Sequence, residues 1–380
     1  MGRTVASRPM DSAIVVGAGS FGASLAWWLA RTGTRVTLVD QFEPGDRRAS
    51  SGGESRLIRC SHGDFGDYTA SARRARALWR ELEEESGSDL LVECGVAWFA
   101  RSSDGWEAAS ERTLRAQGIP AQRLSPEEGA RLFPDFRGDD LEFVLFEPEA
   151  GALRAQRATR ALAERAVAHG ALLERSAARP EGARVLLEDG RRLEADAVVW
   201  ACGAWLAGLF PGVVSLRITR QDLFFLDGGE AWTRAPGWVD YDGAVYGTGD
   251  LDGLGVKVAP DAEGPALAPE APLPPADPAN ERWARDYAAA RFPSLAQAPL
   301  RESRTCRYEL SPDSHFIAAP HPEHESVWLL GGGSGHGFKH GPALAERMAG
   351  AMTGGAALPG RFGLGERAPG RSLRTAGSGR

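Results

Sequence analysis

The sequence predicts a two-lobed α/β (α+β) protein, in which a parallel sheet with flanking helices is joined to a lobe built on a mixed sheet. The chain opens with a strand–helix–strand pattern, and a continuous apolar strand recurs at residues 195–202. From residue 216 to residue 257 the pattern changes to short strands and turns, typical of an antiparallel lobe. The length of 380 residues exceeds one ordinary domain and also favours two lobes.

Composition excludes several classes of partner. Hydrophobic residues make up 43% of the chain and charged residues 25%, and the net charge is -7, so no basic face for nucleic acid is expected. A membrane span needs a run of about eighteen apolar residues, and the sequence has none. Four cysteines without CxxC spacing and no signal-peptide pattern predict a cytoplasmic protein. The seven histidines show no metal-ligand spacing, so no metal is expected, and most are predicted to lie in turns or at the surface.

The motif GAGSFG at residues 17–22 follows a predicted strand at 13–16 and opens a predicted helix at 21–31. Its first glycine permits a tight turn, its second lets the backbone approach a pyrophosphate, and its third lets helix and strand pack closely. The helix N-terminus offers N–H groups to phosphates. A second strand at 35–40 ends in Asp40, whose carboxylate can accept hydrogen bonds from ribose hydroxyls. The pattern predicts a Rossmann-like dinucleotide site and leaves NAD and FAD both open.

The remaining elements follow from periodicity and turn signals. Segments 172–174 and 185–187 are predicted as hairpin strands, and 259–279 as an extended loop. From about Pro359 the chain is rich in Gly and Arg and is expected to fray. Further helices are predicted at 72–85, 105–117 (exposed), 126–132, 154–169 and 342–352, and further strands at 95–100, 222–226, 237–241, 245–246, 256–258 and 327–330.

Three more motifs carry a family resemblance. They are SSGGESRLIR at 50–59, TCRYELSPD at 305–313 and GGGSGHGFK at 331–339. Together with the first motif, they make the chain resemble the monomeric sarcosine oxidase and N-methyl-tryptophan oxidase family, within the D-amino-acid-oxidase superfamily of FAD-dependent enzymes. The resemblance covers roughly residues 12–355.

The resemblance implies a fold of the D-amino-acid-oxidase and glutathione-reductase-like type, and an FAD tethered to Cys306 through its 8α-methyl group. Arg304 and Arg307 flank this cysteine and are expected to favour its thiolate. The implied reaction oxidises the C–N bond of a secondary or cyclic amino acid to an imine, with O2 reduced to H2O2, in a monomer. The implied FAD-binding domain comprises residues 10–75, 146–212 and 305–362, and the substrate-binding domain residues 76–145 and 213–304.

The resemblance also implies roles for single residues. Lys257 would activate oxygen, Arg56 would lie near the flavin ring, and Tyr246 would form a wall of the substrate pocket. Arg59 and Lys339 would bind the substrate carboxylate together. The residues implied to bind FAD are Gly17, Gly19, Ser20, Phe21, Gly22, Asp40, Ser50, Ser55, Arg56, Gly203, Trp205, Cys306, Gly333, Gly335, His336, Gly337, Phe338 and Lys339.

The chain departs from the family at two positions. Gly52 and Asp261 stand where the family has histidines. Gly52 would remove bulk beside the flavin, and an inward-facing Asp261 would suit a cationic group, so the substrate is predicted to be larger or more polar than sarcosine. The segment 259–279 is a candidate lid. Two alternatives stay open: a dehydrogenase that passes electrons to a carrier, and a flavoprotein that has lost catalysis and acts as a binding module.

Overall fold

The computed structural model describes residues 10–376. In chain order the strands are β1 (Ser12–Val16), β2 (Arg35–Asp40), β3 (Ser55–Ile58), β4 (Leu91–Val92), β5 (Val96–Ala100), β6 (Gln122–Leu124), β7 (Phe143–Glu147), β8 (Gly151–Arg154), β9 (Leu172–Arg175), β10 (Ala178–Glu181), β11 (Arg184–Leu187), β12 (Arg192–Leu193), β13 (Ala197–Trp200), β14 (Arg217–Leu226), β15 (Gly237–Asp240), β16 (Val245–Asp250), β17 (Val256–Pro260), β18 (Leu300–Leu310), β19 (Ile317–Pro320) and β20 (Val327–Gly331). The α-helices are α1 (Ser20–Arg31), α2 (Gly66–Ser86), α3 (Trp106–Ala116), α4 (Pro126–Ala130), α5 (Ala155–Ala168), α6 (Leu206–Leu209), α7 (Pro278–Arg291) and α8 (Gly341–Met352).

The first sheet has six strands in the order β19-β20-β13-β1-β2-β9, and every pair is parallel except β19 with β20. Alternate side chains of β1 point to opposite faces, as strand geometry requires. Ala13 and Val15 pack with the core of α1, α2, α5 and α8, whereas Ile14 and Val16 pack with the β11 side of a small meander, β10 to β12. The predicted parallel lobe with flanking helices is therefore confirmed.

One of the two predicted hairpin strands is wrong. The segment around Leu172 is not part of a hairpin but forms β9, the parallel edge strand beside β2. It follows α5, and a strand that follows a helix packed on a parallel sheet returns to that sheet. The hairpin is formed by β10 and β11, and Asp189-Gly190 turns the chain from β11 into β12.

The second sheet has eight strands in the order β18-β14-β17-β16-β15-β5-β7-β6. Its pairs are antiparallel except β5 with β15, which confirms the predicted mixed sheet. The face that carries Val256 and Val258 belongs to a core that α7 completes. The opposite face carries Lys257, Cys306 and Tyr308, and it is directed toward the first lobe.

Helix α7 has no counterpart among the predicted elements, although its start is signalled in the sequence. Asp277 is the N-cap, and its side chain accepts a hydrogen bond from the amide of Ala279 at 2.8 Å. Pro278 occupies the first helical position, where its missing N–H has no effect on helical hydrogen bonding.

Two predictions about exposure are also wrong. The first turn of α3 is buried, because Trp106 stacks on Tyr241 with ring centroids 4.6 Å apart. The expected fraying after Pro359 does not extend to residues 372–375, which are buried. Tyr241 holds them: its hydroxyl donates to the carbonyl of Ser372 at 2.8 Å, and its own carbonyl accepts from the amide of Ala376 at 2.8 Å.

The division into two lobes follows the two large sheets, but the predicted boundaries at 145/146 and 304/305 fall inside β7 and β18. We therefore propose the same two domains with these boundaries moved to the ends of the strands. None of the helices within residues 10–376 is both long enough and apolar enough to cross a membrane.

The six-stranded sheet allows a matched test of packing. Leu38 of β2 is fully buried, whereas Leu172 of the adjacent strand β9 is 69% exposed. Leu38→Ala should lower the free energy of unfolding by about 2–5 kcal/mol because it leaves a cavity. Leu172→Ala should change it by no more than about 0.5 kcal/mol. Urea unfolding of both variants measures the difference, and equal losses would contradict the assigned burial.

Candidate functional site

A cavity of about 240 Å³ lies at the carboxyl ends of β1 and β2. Open parallel sheets bind ligands at this edge. Thirteen of the residues predicted to bind FAD line it, namely Gly17, Gly19, Ser20, Phe21, Asp40, Ser50, Arg56, Gly203, Trp205, Gly333, Gly335, Gly337 and Phe338. The other five predicted residues, Gly22, Ser55, Cys306, His336 and Lys339, lie outside its lining.

The first motif requires glycine at two positions, because other backbone atoms lie where a Cβ would be. Gly17 has φ +106°, and a Cβ there would lie 2.3 Å from the carbonyl oxygen of Ala201. A Cβ on Gly22 would lie 1.8 Å from the carbonyl oxygen of Gly17. Gly22 therefore supports the turn from behind, which explains why it is close to the cavity without lining it.

Asp40 lies at the end of β2 and lines the cavity. Its carboxylate accepts hydrogen bonds from the amides of Ala18 at 2.5 Å and Phe42 at 2.7 Å. Burial raises its pKa above the usual value, and the two amide hydrogen bonds oppose that shift. The carboxylate thus braces the glycine turn, and each oxygen keeps a further lone pair for a ligand hydroxyl.

The lining also contains polar atoms that suit a dinucleotide. Within residues 10–376, neither Ser50 Oγ nor Glu309 Oε2 has a hydrogen-bond partner, although both atoms are buried. Burial raises the pKa of Glu309 to about 7, so its carboxyl can donate as well as accept. Buried polar groups are normally hydrogen-bonded, and these two indicate that a polar ligand completes the cavity. The lining therefore fits FAD.

A second cavity of about 50 Å³ adjoins the first, and Arg56, Tyr308, Gly335 and Phe338 line both. Every residue predicted to bind substrate lines this smaller cavity: Arg59, Tyr246, Asp261 and Lys339. The sequence motifs at 50–59 and 331–339 thus meet at one pocket.

Arg59 follows β3 and is 5% exposed. Its guanidinium lies 4.7 Å from the ring centroid of Trp98 and donates to the carbonyls of Ser61 and, at 3.1 Å, Leu373. Burial lowers its pKa to about 10, and the carboxylate of Glu147 opposes this shift. Glu147 in turn accepts hydrogen bonds from the Cys60 and Ser61 amides, the Ser61 hydroxyl and the Trp98 indole.

Lys339 belongs to the connection between β20 and α8, and its ammonium donates to the carbonyl of His336 at 2.9 Å. Burial holds its pKa well below the usual range, and Arg59 adds to that shift. Two buried cations thus lie against one small cavity. Such an arrangement favours an anionic ligand, because a carboxylate would offset their desolvation.

Four of the seven histidines, His169, His315, His321 and His324, are not buried, as expected for most of them, but the other three form a buried cluster. His62, His336 and His340 are buried, with ring nitrogens within 4.8 Å of one another. His62 Nδ1 lies 3.0 Å from the Cys60 carbonyl, and His340 Nε2 lies 3.3 Å from His62 Nε2. Burial and the adjacent charge of Lys339 hold the pKa of His336 and His340 well below the usual range. The same charge disfavours a metal ion at this cluster.

Lys257 of β17 is 2% exposed, and its ammonium donates to the carbonyl of Ser55 at 3.3 Å. Because strand residues alternate, it faces the first lobe while Val256 and Val258 face α7. Burial lowers its pKa to about 7, and Arg56 adds to the shift. Its Nζ lies 5.1 Å from the ring centroid of Tyr246, which lines the second cavity.

Cys306 is buried on β18, two residues before Tyr308. Burial raises the pKa of its thiol, and the charges of Arg56 and Lys257 oppose the rise. The predicted role of Arg304 and Arg307 is not supported. Arg304 pairs with the carboxylates of Glu54 and Glu302, and Arg307 donates to the carbonyls of Arg48 and Ala271.

The two positions that depart from the family differ in their setting. Asp261 faces the second cavity, as predicted. Gly52 packs against backbone, because a Cβ there would lie 2.0 Å from the Asp46 carbonyl oxygen. Its small size therefore serves local packing, contrary to the prediction that it opens space beside the flavin.

Of the candidate lid segment 259–279, Asp261 lines the second cavity. In the loop after β17, Pro265 and Leu267 hydrogen-bond to β14, and Ala271 accepts from Arg307 of β18. Arg374 and Thr375 also line this cavity, and both donate to the Asp261 carboxylate. The sequence carries no local signal for this contact, because it joins residues more than a hundred positions apart.

The match to a family model decides the class of this protein. Residues 12–351 match the model described as FAD dependent oxidoreductase (DAO). The chain belongs to the FAD-dependent oxidoreductase family. The resemblance seen in the motifs is thereby confirmed, and so is FAD as the cofactor type.

Among its relatives, the chain is 31% identical to a monomeric sarcosine oxidase of Streptomyces avermitilis, over 92% of this chain and 96% of that one. It is 25% identical to an N-methyl-L-tryptophan oxidase of Yersinia pestis, over 88% and 92%. Its fold is similar to that of an L-proline dehydrogenase from P. horikoshii, with a TM-score of 0.81 and 20% identity over 93% and 96% of the two chains. The predicted fold class is therefore confirmed.

The glycine turn can be tested by a matched pair of substitutions. Gly22→Ala should abolish FAD retention, because its Cβ collides with the Gly17 carbonyl and displaces the turn. Gly208→Ala, where no atom lies within 4 Å of the added Cβ, should retain the cofactor fully. The ratio of flavin to protein absorbance after purification measures both. Full retention by Gly22→Ala would contradict the assigned role of the turn.

Proposed function

We propose that this flavoprotein oxidises the C–N bond of a secondary or cyclic amino acid to an imine, with O2 as the electron acceptor and H2O2 as the second product. One observation carries the proposal: the buried cations Arg59 and Lys339 line a small cavity that adjoins the dinucleotide cavity. A carboxylate bound there would be held beside the flavin. The names of the curated relatives, oxidases of sarcosine and of N-methyl-L-tryptophan, support the same class of substrate.

When bound, FAD would supply the two-electron acceptor for the C–H bond next to nitrogen. The protein supplies position and charge. Arg59 would hold the substrate carboxylate by its guanidinium fork, with Lys339 as a second cation. The stacking of Arg59 on Trp98 and its bond to Ser61 fix that fork in place. Two nearby cations also favour binding of the amine in its neutral form, the form that can lose hydride.

Lys257 would act in the second half-reaction, in which O2 reoxidises the reduced flavin. Its buried ammonium lies under Tyr246 and beside Arg56, near the junction of the two cavities. A fixed cation in a water-poor site stabilises negative charge that develops on dioxygen. Tyr246 would form the wall between Lys257 and the substrate. Its hydroxyl lies 3.3 Å from that of Tyr308, which in turn lies 3.4 Å from Asp261.

An anaerobic reduction screen tests the proposal. The purified yellow protein is mixed with a panel of N-methyl and cyclic amino acids, and loss of flavin absorbance is followed. We expect reduction by at least one of them and, in air, one H2O2 for each imine or carbonyl product. Reduction without peroxide would instead indicate a dehydrogenase that uses another electron carrier. No reduction by any amino acid in the panel would contradict the proposed activity.

The lowered pKa of Lys257 predicts that the rate of flavin reoxidation depends on pH. Because this pKa is lowered to about 7, the ammonium is present below that pH and is lost above it. The rate constant for reoxidation of the reduced protein by O2 should therefore fall as pH rises through about 7. Lys257→Met should lose roughly 100-fold in that rate constant and the inflection with it. Lys257→Arg, whose charge does not titrate, should keep much of the rate without the inflection. An unchanged inflection in Lys257→Met would refute the assignment.

We also propose that the flavin is tethered at Cys306. The thiol is buried, and Arg56 and Lys257 are the cations that favour its thiolate. Acid precipitation of the wild-type protein should leave flavin colour in the pellet, whereas Cys306→Ser should release it to the supernatant. The parallel variant Cys94→Ser, at a half-buried cysteine between β4 and β5 whose thiol donates to the Gly95 carbonyl, should behave like wild type. Colour in the wild-type supernatant would exclude the tether.

A further inference from the structure

Residues 371–376, which we name the strap, lie against the second cavity and occupy part of its space. Leu373, Arg374 and Thr375 are each at most 5% exposed, and Arg374 and Thr375 form part of the cavity lining. The remaining space of about 50 Å³ holds only a few water molecules. An amino acid can therefore occupy the site only if the strap moves.

The strap contacts the groups that the proposed substrate would need. The carbonyl of Leu373 accepts from Arg59 at 3.1 Å, which is the position proposed for a substrate carboxylate. The guanidinium of Arg374 donates to the Asp261 carboxylate at 2.7 Å and to its carbonyl at 2.6 Å, and lies 5.1 Å from the ring centroid of Tyr308. Thr375 donates to the other Asp261 oxygen at 2.8 Å. The strap thus presents an acceptor to Arg59 and a cation to Asp261.

The anchors of the strap outside the cavity are few. Tyr241 bonds both Ser372 and Ala376, and Arg371 lies 5.0 Å from the Trp106 ring centroid and donates to the Tyr241 hydroxyl at 3.0 Å. Among residues 10–376, the strap forms no strand pairing with either large sheet. Its displacement therefore breaks these polar contacts and withdraws the fully buried Leu373 from the edge of the first-lobe core, while the strands and helices of both lobes keep their pairing.

Displacement would leave Asp261 without its cation. A buried carboxylate that loses its partner is strongly destabilised. Asp261 is 2% exposed, and within residues 10–376 its salt bridge is with Arg374. Any ligand that replaces the strap is therefore favoured if it brings a positive charge to Asp261 as well as an anion to Arg59.

We propose that the substrate is an amino acid whose side chain ends in a second cation, a guanidinium or an ammonium group, and that Leu373 and Arg374 occupy its place until it binds. The proposal rests on the proposed amine-oxidising function and specifies its substrate class. The aromatic ring of Tyr308, which lies by the Arg374 guanidinium, would contact the same group of the substrate.

A matched pair of compounds tests this. Nα-methyl-L-arginine and Nα-methyl-L-citrulline have the same length, but the second carries a neutral urea in place of the guanidinium. We expect the second-order rate constant for anaerobic flavin reduction to be at least ten times higher with the arginine compound. Asp261→Asn should remove that advantage. Arg374→Gln should lower the Kd of the arginine compound, because it weakens the strap and leaves Asp261 unpaired.

A binding measurement separates this inference from the proposed activity. L-Arginine and L-citrulline need no turnover, and hydrogen–deuterium exchange of residues 371–376 reports the strap directly. Saturating L-arginine should increase exchange in this segment about ten-fold, and L-citrulline should leave it protected. Equal effects of the two compounds on exchange would overturn the inference even where amino acids reduce the flavin. Selective release by L-arginine would support the binding site even where no amino acid is oxidised.

Discussion

The burial of three cations around the two adjoining cavities is the constraint on which the site depends. Arg59, Lys257 and Lys339 are each at most 5% exposed, and desolvation lowers the pKa of all three. Each cation donates to a backbone carbonyl, which secures its position without neutralising it. The carboxylate of Glu147 offsets part of the positive charge of Arg59 and Lys339. The rest of that charge is left for a bound ligand to offset. The pocket is therefore built to receive anionic groups.

The fold brings these cations together from distant parts of the chain. Arg59 follows β3, Lys257 projects from the inner face of the second sheet, and Lys339 comes from the turn before α8. Strand alternation sets which side chains face inward, so Lys257 can be buried beside a hydrophobic strand neighbour that faces the other way. The glycine turn and Asp40 position the dinucleotide cavity next to this cluster.

Local sequence patterns predict much of this fold and site. The glycine turn depends on neighbouring backbone and is visible in the sequence, whereas Lys257 is identified through the family resemblance, and strand alternation explains its inward face. Contacts between segments that are far apart in the sequence are not visible in such patterns. Nothing near Arg374 indicates that it pairs with Asp261, and nothing near His62 indicates that it meets His336 and His340. The start of α7 was missed although Asp277 and Pro278 signal it, because the loop before it is long and rich in proline.

The binding of a substrate carboxylate by the buried cations beside the flavin can be tested by removing that carboxylate. Each secondary amino acid that reduces the flavin is compared with its decarboxylated amine, in wild type and in Arg59→Ala, by anaerobic flavin reduction. We expect the amino acid to be favoured at least 100-fold in wild type, and this preference to collapse in Arg59→Ala. Equal reduction by the two compounds in wild type would contradict the binding of the carboxylate by these cations.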